Sequence, residues 1–251
     1  MLLLIDAGNT RIKWAVQRPG QRLSQDNWLA SGAVPQAQFA QLSPQWQALP
    51  QAITHALVSN VAGQAAADQL SHVLAAQGVP ASAVTWFAAR PECAGVRNGY
   101  RHPHQLGSDR FASLVGAHYL FPHEALLIAT CGTATTIDAL DEQGQFAGGM
   151  ILPGLGLMAQ SLALNTAQLP AVTSLAAAPV FADNTQDAII SGCLSAQVGA
   201  ITHARERHAS SAARCIISGG AAAYIAPYLP KPCEQIDNLV LIGLAASMQA
   251  A

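Results

Sequence analysis

The stretch "LLLIDAGNTRIKWAV", residues 2–16, sets an acid and a Gly-Asn-Thr turn directly after four apolar residues. Leu2, Leu3, Leu4 and Ile5 have the length and composition of a buried strand, and a strand end is where a chain meets solvent and ligands. Asp6 is therefore a candidate for contact chemistry. Beyond the turn, Ile12, Trp14 and Val16 alternate with Arg11, Lys13 and Ala15. That period predicts a second strand reached through a hairpin.

The pattern then returns. "LLIATCGTATTIDAL", residues 126–140, runs again as apolar strand, Gly-Thr turn and alternating strand, and overlays residues 2–16 with "DAGNT" against "TCGTA". The repeat predicts two copies of one unit, an N-terminal domain over residues 1–117 and a C-terminal domain over residues 118–251. In the first copy a third strand is expected at Trp28–Val34, then a helix ending near Pro50 and a buried strand at Ile53–Val61. A helix through "GQAAADQLSHVLAAQG" and a strand in "AVTWFAA" continue a β-α-β alternation, the mark of parallel pairing. Residues 90–107 lack any period and read as a functional loop ahead of a helix that starts at Ser108. In the second copy a third strand closes the stretch to residue 152. Helices are expected at Leu155–Leu164 and Asn184–Arg207, with a strand at Arg214–Ile217 and a last helix that Asp237 could cap.

Composition narrows the function classes. The chain of 251 residues is 51% hydrophobic and 10% charged with a net charge of −2, which offers no basic surface to nucleic acid. Apolar runs stop well short of the about 18 residues that span a bilayer, so no membrane segment is expected. Asp6 interrupts the opening apolar run and no basic start precedes it, which leads us to expect a cytoplasmic protein. Cys93, Cys131, Cys193, Cys215 and Cys233 are spread out without a CxxC pair. Neither a disulfide framework nor a zinc site is expected from that spacing. His102 and His104 read as surface loop. There is no GxxxxGK[ST] loop, HRD and DFG pair, GxSxG elbow or GxGxxG turn, which removes P-loop, protein-kinase, hydrolase and Rossmann readings.

Two hairpins whose Gly and Thr tips face each other can hold a polyphosphate, because glycine lets backbone N–H groups approach its oxygens and threonine adds hydroxyl donors. A nearby aspartate can hold the magnesium that travels with a nucleotide. The arrangement resembles the actin, hexokinase and chaperone ATPase superfamily. That resemblance implies an α/β fold of two duplicated RNase H-like units, mixed five-stranded sheets with flanking helices, around a central cleft. Within the superfamily, "DAGNTRIK" (6–13), "GSDR" (107–110), "CGTATT" (131–136), "GGMILPG" (148–154), "NTQDAIISG" (184–192) and "SGG" (218–220) look, in that order, like the motifs of type III pantothenate kinase. The resemblance implies ATP-dependent phosphorylation of pantothenate to 4′-phosphopantothenate, the first step toward coenzyme A.

The site residues carry over motif by motif. Asp6, Ala7, Gly8, Asn9, Thr10, Arg11, Ile12 and Lys13 are implied to line the nucleotide's phosphates, with Asp6 the Mg²⁺ partner and Thr133 the donor from the second hairpin. Asp109 is implied to accept the proton of the attacking hydroxyl. Read by itself, it precedes an amphipathic helix and would serve as its N-cap, a place that also favours a charged carboxylate. Tyr100, Gly107, Ser108, Asp109 and Arg110 are implied to bind pantothenate, joined by Thr185 across a homodimer interface. Gly219 and Gly220 are either the adenine and ribose seat or a tight turn, and Cys131 reads as a small space-filler. The family places an aspartate two residues before the glycine of the second hairpin, beside a monovalent cation (K⁺ or NH₄⁺); this chain has Thr130 there. Alternative readings are another small-molecule kinase or a polyphosphate phosphatase on the same scaffold, or a catalytically silent regulator. The presence of both Asp6 and Asp109 speaks against the last.

Overall fold

The computed structural model describes residues 1–17, 23–24, 27–172 and 178–249. The chain divides into two compact units, one of Met1–Pro122, Gly144–Phe146 and Asn238–Ala251, the other of His123–Gln143 and Ala147–Asp237.

In the first unit the opening hairpin is β1 (Leu2–Ala7) and β2 (Arg11–Gln17), followed by β3 (Trp28–Pro35), α1 (Leu42–Gln47), β4 (His55–Asn60), α2 (Gln64–Ala76) and β5 (Val84–Phe87). The sheet order is β3-β2-β1-β4-β5. β1 runs antiparallel to β2 and parallel to β4, so Asp6 stands opposite Lys13 on one side and Ser59 on the other. Leu3, Leu4 and Ile5 are all fully buried, as a central strand covered on both faces requires. Leu3, Ile5, Ile12, Trp14 and Val16 pack one face against Leu42, Trp46, Leu70 and Leu74. The stretch before α1, expected to be part of one helix, is instead a 3₁₀ segment broken at Gln38. The aperiodic loop holds a two-residue hairpin of β6 (Glu92–Cys93) and β7 (Val96–Arg97), turned by Ala94 and Gly95, both at positive φ. α3 (Ser108–Leu120) then matches the amphipathic run.

The second unit repeats the plan with β8 (Leu126–Cys131), β9 (Ala134–Leu140), β10 (Phe146–Pro153), α4 (Leu155–Asn165), α5 (Thr185–Glu206), β11 (Arg214–Ser218), α6 (Ala222–Ile225) and β12 (Glu234–Gln235). Its order is β10-β9-β8-β11-β12, the same path through the sheet as in the first unit. β8 is antiparallel to β9 and parallel to β11, and β11 is parallel to β12. The fold is thus α/β, built from two mixed five-stranded sheets with flanking helices.

The last helix, α7 (Leu239–Gln249), is buried along Leu239–Ser247 and belongs to the first unit, where it packs on α3, β1 and β4. The two helices approach through glycines. A Cβ at Gly243 would run into the Ala112 carbonyl, and one at Gly116 would meet the Leu239 carbonyl and the Gly243 nitrogen. Backbone fills the space a side chain would need, so Gly243→Ala is expected to destabilise the fold by about 1–3 kcal/mol, a melting-temperature loss of roughly 2–12 °C. Gly199→Ala is the control, since open space surrounds that position on α5. Equal melting temperatures for Gly243→Ala and the parent would show that the helices separate at no cost.

Candidate active site

Asp6 occupies the penultimate position of β1, where the strand runs into the Gly8–Thr10 loop. The Gly8 N–H donates to the Arg11 carbonyl at 3.0 Å and the Gln36 N–H to the Thr10 carbonyl at 2.9 Å, so the loop is tied at both ends. Ala7 and Ile12 are fully buried, and their side chains belong to the core. Burial pushes the Asp6 carboxyl up to about 7, the charge of Asp109 pushes the same way, and Lys13 opposes both.

Asp109 is brought beside Asp6 by the start of α3. The Ser108 and Ser59 hydroxyls share a buried hydrogen bond of 2.8 Å, which pins the helix start to β4 directly next to Asp6 in the sheet. With Ser108 fixed as the first helical residue, the N-cap is Gly107 and not Asp109, contrary to the sequence expectation. Asp109 lies in the first turn, and its carboxylate accepts the Arg110 N–H at 2.7 Å. Gly107 leaves room for that carboxylate, because a Cβ there would sit 2.7 Å from an Asp109 oxygen. Burial raises the proton affinity of Asp109, while the Arg110 N–H and the Arg110 guanidinium charge lower it.

The Arg110 side chain is itself buried. Its Nη1 donates to the Tyr100 hydroxyl at 2.8 Å, and its guanidinium stands 5.6 Å from the Tyr100 ring centre and 6.0 Å from that of Phe146. The two rings lie 5.4 Å apart. Asn98 positions the tyrosine by accepting the Tyr100 N–H at 3.0 Å and donating to the Pro103 carbonyl at 3.0 Å. Asp6, Lys13, Tyr100 and Gly107–Arg110 therefore gather in the first unit. Ser59, Asn98 and Phe146 join them without having been singled out in the sequence. Arg97 and Arg101 are exposed.

Thr133 and Thr185 belong to the second unit. Thr133 is exposed at the β8–β9 turn, whose carbonyls are held by the Gly154 N–H to Thr133 at 2.9 Å and the Ala221 N–H to Cys131 at 3.0 Å. The Gly219 turn, at φ 97°, packs on the Cys131 backbone. Burial pushes the Cys131 thiol up to about 12, as befits a space-filling side chain. On β8, the Thr130 hydroxyl is buried opposite Thr136 of β9, and neither hydroxyl has a hydrogen-bond partner among the described residues. Thr185 opens α5, but the cap is Asn184, whose Oδ1 accepts the Asp187 N–H at 3.0 Å. Thr185 lines an apolar groove of about 470 Å³ with Met158, Leu162, Ile189 and Cys193.

Comparison with known proteins points one way. The family model described as type III pantothenate kinase matches residues 2–207. Proteins named type III pantothenate kinase from Herminiimonas arsenicoxydans and Janthinobacterium sp. (strain Marseille) are 51% and 52% identical to this chain, each alignment covering 97% of it and 96% of the relative. Among solved structures, a Baf family protein from Campylobacter jejuni is similar with a TM-score of 0.65 at 17% identity, covering 98% of this chain and 97% of that one. The activator of the 2-hydroxyisocaproyl-CoA dehydratase from Clostridium difficile, with bound ADPNP, is similar with a TM-score of 0.52 at 12% identity, covering 99% and 93%.

The electrostatics of Asp6 carry a stability consequence. Its folded pKa lies above the ordinary carboxylate value, so the native state holds a proton that the unfolded chain has released, and stability falls as pH rises from about 4 toward about 7. Asp6→Asn is expected to melt above the parent at pH 8 in the absence of nucleotide and metal, with the gap closing by pH 5. Parallel melting curves across that range would mean that Asp6 is solvated and ionised throughout.

Proposed function

The chain belongs to the type III pantothenate kinase family, and from that premise we infer that its own Asp109 is the group that accepts the proton of the attacking hydroxyl. The enzyme is a phosphotransferase that phosphorylates pantothenate with ATP in the biosynthesis of coenzyme A. In such a transfer the transition state is loose, and the protein works chiefly by positioning and by balancing charge.

The observation that carries the reading is the state of Asp109. Burial raises its proton affinity toward that of a useful base, while the bond from the Arg110 N–H and the adjoining guanidinium keep the ionised form accessible. The substrate offers a hydroxyl and a carboxylate. Arg110, immobilised against Tyr100 and Phe146, supplies a desolvated cation for an anion, and Gly107, Ser108 and Tyr100 supply the surrounding donors. Thr185 would complete the pocket from a second copy of the chain. A homodimer is supported by the apolar side chains of Leu164, Val180 and Phe181, which are 75%, 67% and 95% exposed. No described helix is long and apolar enough to cross a membrane.

We assign the nucleotide's phosphates to the Gly8–Thr10 loop, with Arg11 and Lys13 as the cations beside it. Among the described residues no group of three or more His, Cys, Asp or Glu could hold a metal. Mg²⁺ keeps most of its waters and binds through one or two carboxylates plus phosphate oxygens. Asp6 is the carboxylate for it, and a cation there would offset the repulsion from Asp109. When bound, the ion neutralises charge on the phosphates. A monovalent cation also finds oxygens, the unpartnered hydroxyls of Thr130 and Thr136, but they are neutral.

Two measurements test these assignments. Asp109→Asn preserves an oxygen for the Arg110 N–H and is expected to keep the melting temperature and nucleotide binding while turnover falls about 10²-fold or more. Near-normal turnover with the parent's pH profile would reduce Asp109 to a structural residue. For the cation, activity titrated with KCl and NH₄Cl against tetramethylammonium chloride is expected to show weak activation in the parent and tighter activation in Thr130→Asp. Strong activation of the parent at low millimolar salt, unchanged by the substitution, would locate the cation elsewhere.

A further inference from the structure

The five cysteines are free thiols, and two of them have been brought together by the second sheet. β11 and β12 are parallel, with Ile216 opposite Glu234 and Ile217 opposite Gln235. One step earlier in that register Cys215 stands beside Cys233, and their sulfurs are 3.5 Å apart. Neighbouring strands lie about 4.8 Å from each other, inside the roughly 4.4–6.8 Å between Cα atoms that a disulfide spans. Sulfur contact therefore needs only a side-chain rotation to become a bond.

The two thiols are also chemically unequal. Cys215 is buried, whereas Cys233 is half-buried and open to a small reagent. A hydrogen bond from the Cys215 S–H holds Cys233 below its ordinary thiol range, against the effect of burial, and the charges of Lys231 and Arg205 act in the same direction. Arg205 is fixed there by a 2.7 Å bond from Nη1 to the Pro230 carbonyl. Cys215 is raised by the same hydrogen bond and by burial. The remaining cysteines lack this pairing. Cys93, Cys131 and Cys193 are buried, and Cys93 accepts a bond of 2.8 Å from Arg90.

We propose that Cys215 and Cys233 are a redox modification site, which hydrogen peroxide converts into an intramolecular disulfide and thiol reductants reopen. The Cys233 thiolate attacks a peroxide oxygen, the O–O bond breaks, and the departing hydroxide takes a proton and leaves as water. Cys233 is then a sulfenic acid. The Cys215 sulfur attacks Cys233 Sγ, the S–O bond breaks, and the oxygen leaves as a second water carrying the Cys215 proton. The two thiols lose two electrons and two hydrogens, and the peroxide is reduced to two waters. The bond staples edge strand β12 to β11 and leaves Asp6, Asp109 and Arg110, all in the other unit, chemically untouched.

The test is peptide mapping. Purified protein is treated with hydrogen peroxide, the peroxide is removed, the chain is unfolded in guanidinium chloride with N-ethylmaleimide to cap every residual thiol, and an unreduced digest is read by mass spectrometry. The expected result is a Cys215–Cys233 linked peptide lighter by two hydrogens than the reduced pair, with the other three cysteines capped and all five capped after dithiothreitol. Cys233→Ser is expected to lose the linked peptide and leave Cys215 capped. Five capped thiols after peroxide, a Cys233 that stops at sulfenic or sulfinic acid, a link through Cys131, or a link between chains would each overturn the proposal.

Discussion

Two carboxylates brought together at one half-buried place is the constraint around which the first unit is arranged. Asp6 and Asp109 come from distant parts of the chain, and the field of one raises the proton affinity of the other. Nothing in a hydrophobic collapse favours this juxtaposition, so it must be imposed by groups that are satisfied elsewhere. The Ser59–Ser108 hydrogen bond imposes it by locking the start of α3 to the strand beside β1. The burial of α7 against α3 then holds the helix from behind through the Gly116–Gly243 approach. The charges are divided asymmetrically. Arg110 gives Asp109 both an N–H and a guanidinium that oppose the effect of burial, whereas for Asp6 the opposing charge is that of Lys13.

Most of this architecture was legible because its signals are local. The strand, turn and strand of residues 2–16 and 126–140 have period and punctuation that only a hairpin satisfies, and the two sheets do follow one order. The start of α3 was legible to within a residue, since Gly107 and the apolar face beyond it mark the boundary. What was not legible is tertiary. α7 is apolar on every side, so its sequence carries no face to say which unit it joins, and its place beside α3 depends on two glycines far apart in the chain. The turn at Ala94, at φ 48°, likewise places a side-chain-bearing residue where propensity alone would call for glycine or asparagine.

The site shows the same partition. Asp6 and the Gly107–Arg110 segment announce themselves as polar residues at the ends of apolar elements. Ser59 does not, because a serine in "LVSN" reads as one polar position in a buried strand until the register sets it opposite Asp6. Phe146 and Asn98 act only through other residues, as a wall for the Arg110 guanidinium and a brace for Tyr100. Their contribution lies in geometry that no spacing rule encodes. The pairing of Cys215 with Cys233 has the same origin, since a register between parallel strands joins cysteines that no short motif links.

Thr130 shows how one side chain sets the electrostatics of a strand end. Its hydroxyl and that of Thr136 are buried and unpartnered among the described residues, a state costing about 1–3 kcal/mol per group unless another species supplies the missing contact. An aspartate in the same place would face the conditions that raise Asp6, namely removal from water with no adjoining N–H bond of the kind Arg110 gives Asp109. It would hold its proton, or require a cation, to be stable there. A threonine avoids that requirement, because an unpartnered hydroxyl costs far less than an unpartnered charge. A neutral hydroxyl attracts a cation less than a carboxylate would and, by the same physics, leaves no buried charge for the β8–β9 hairpin to neutralise.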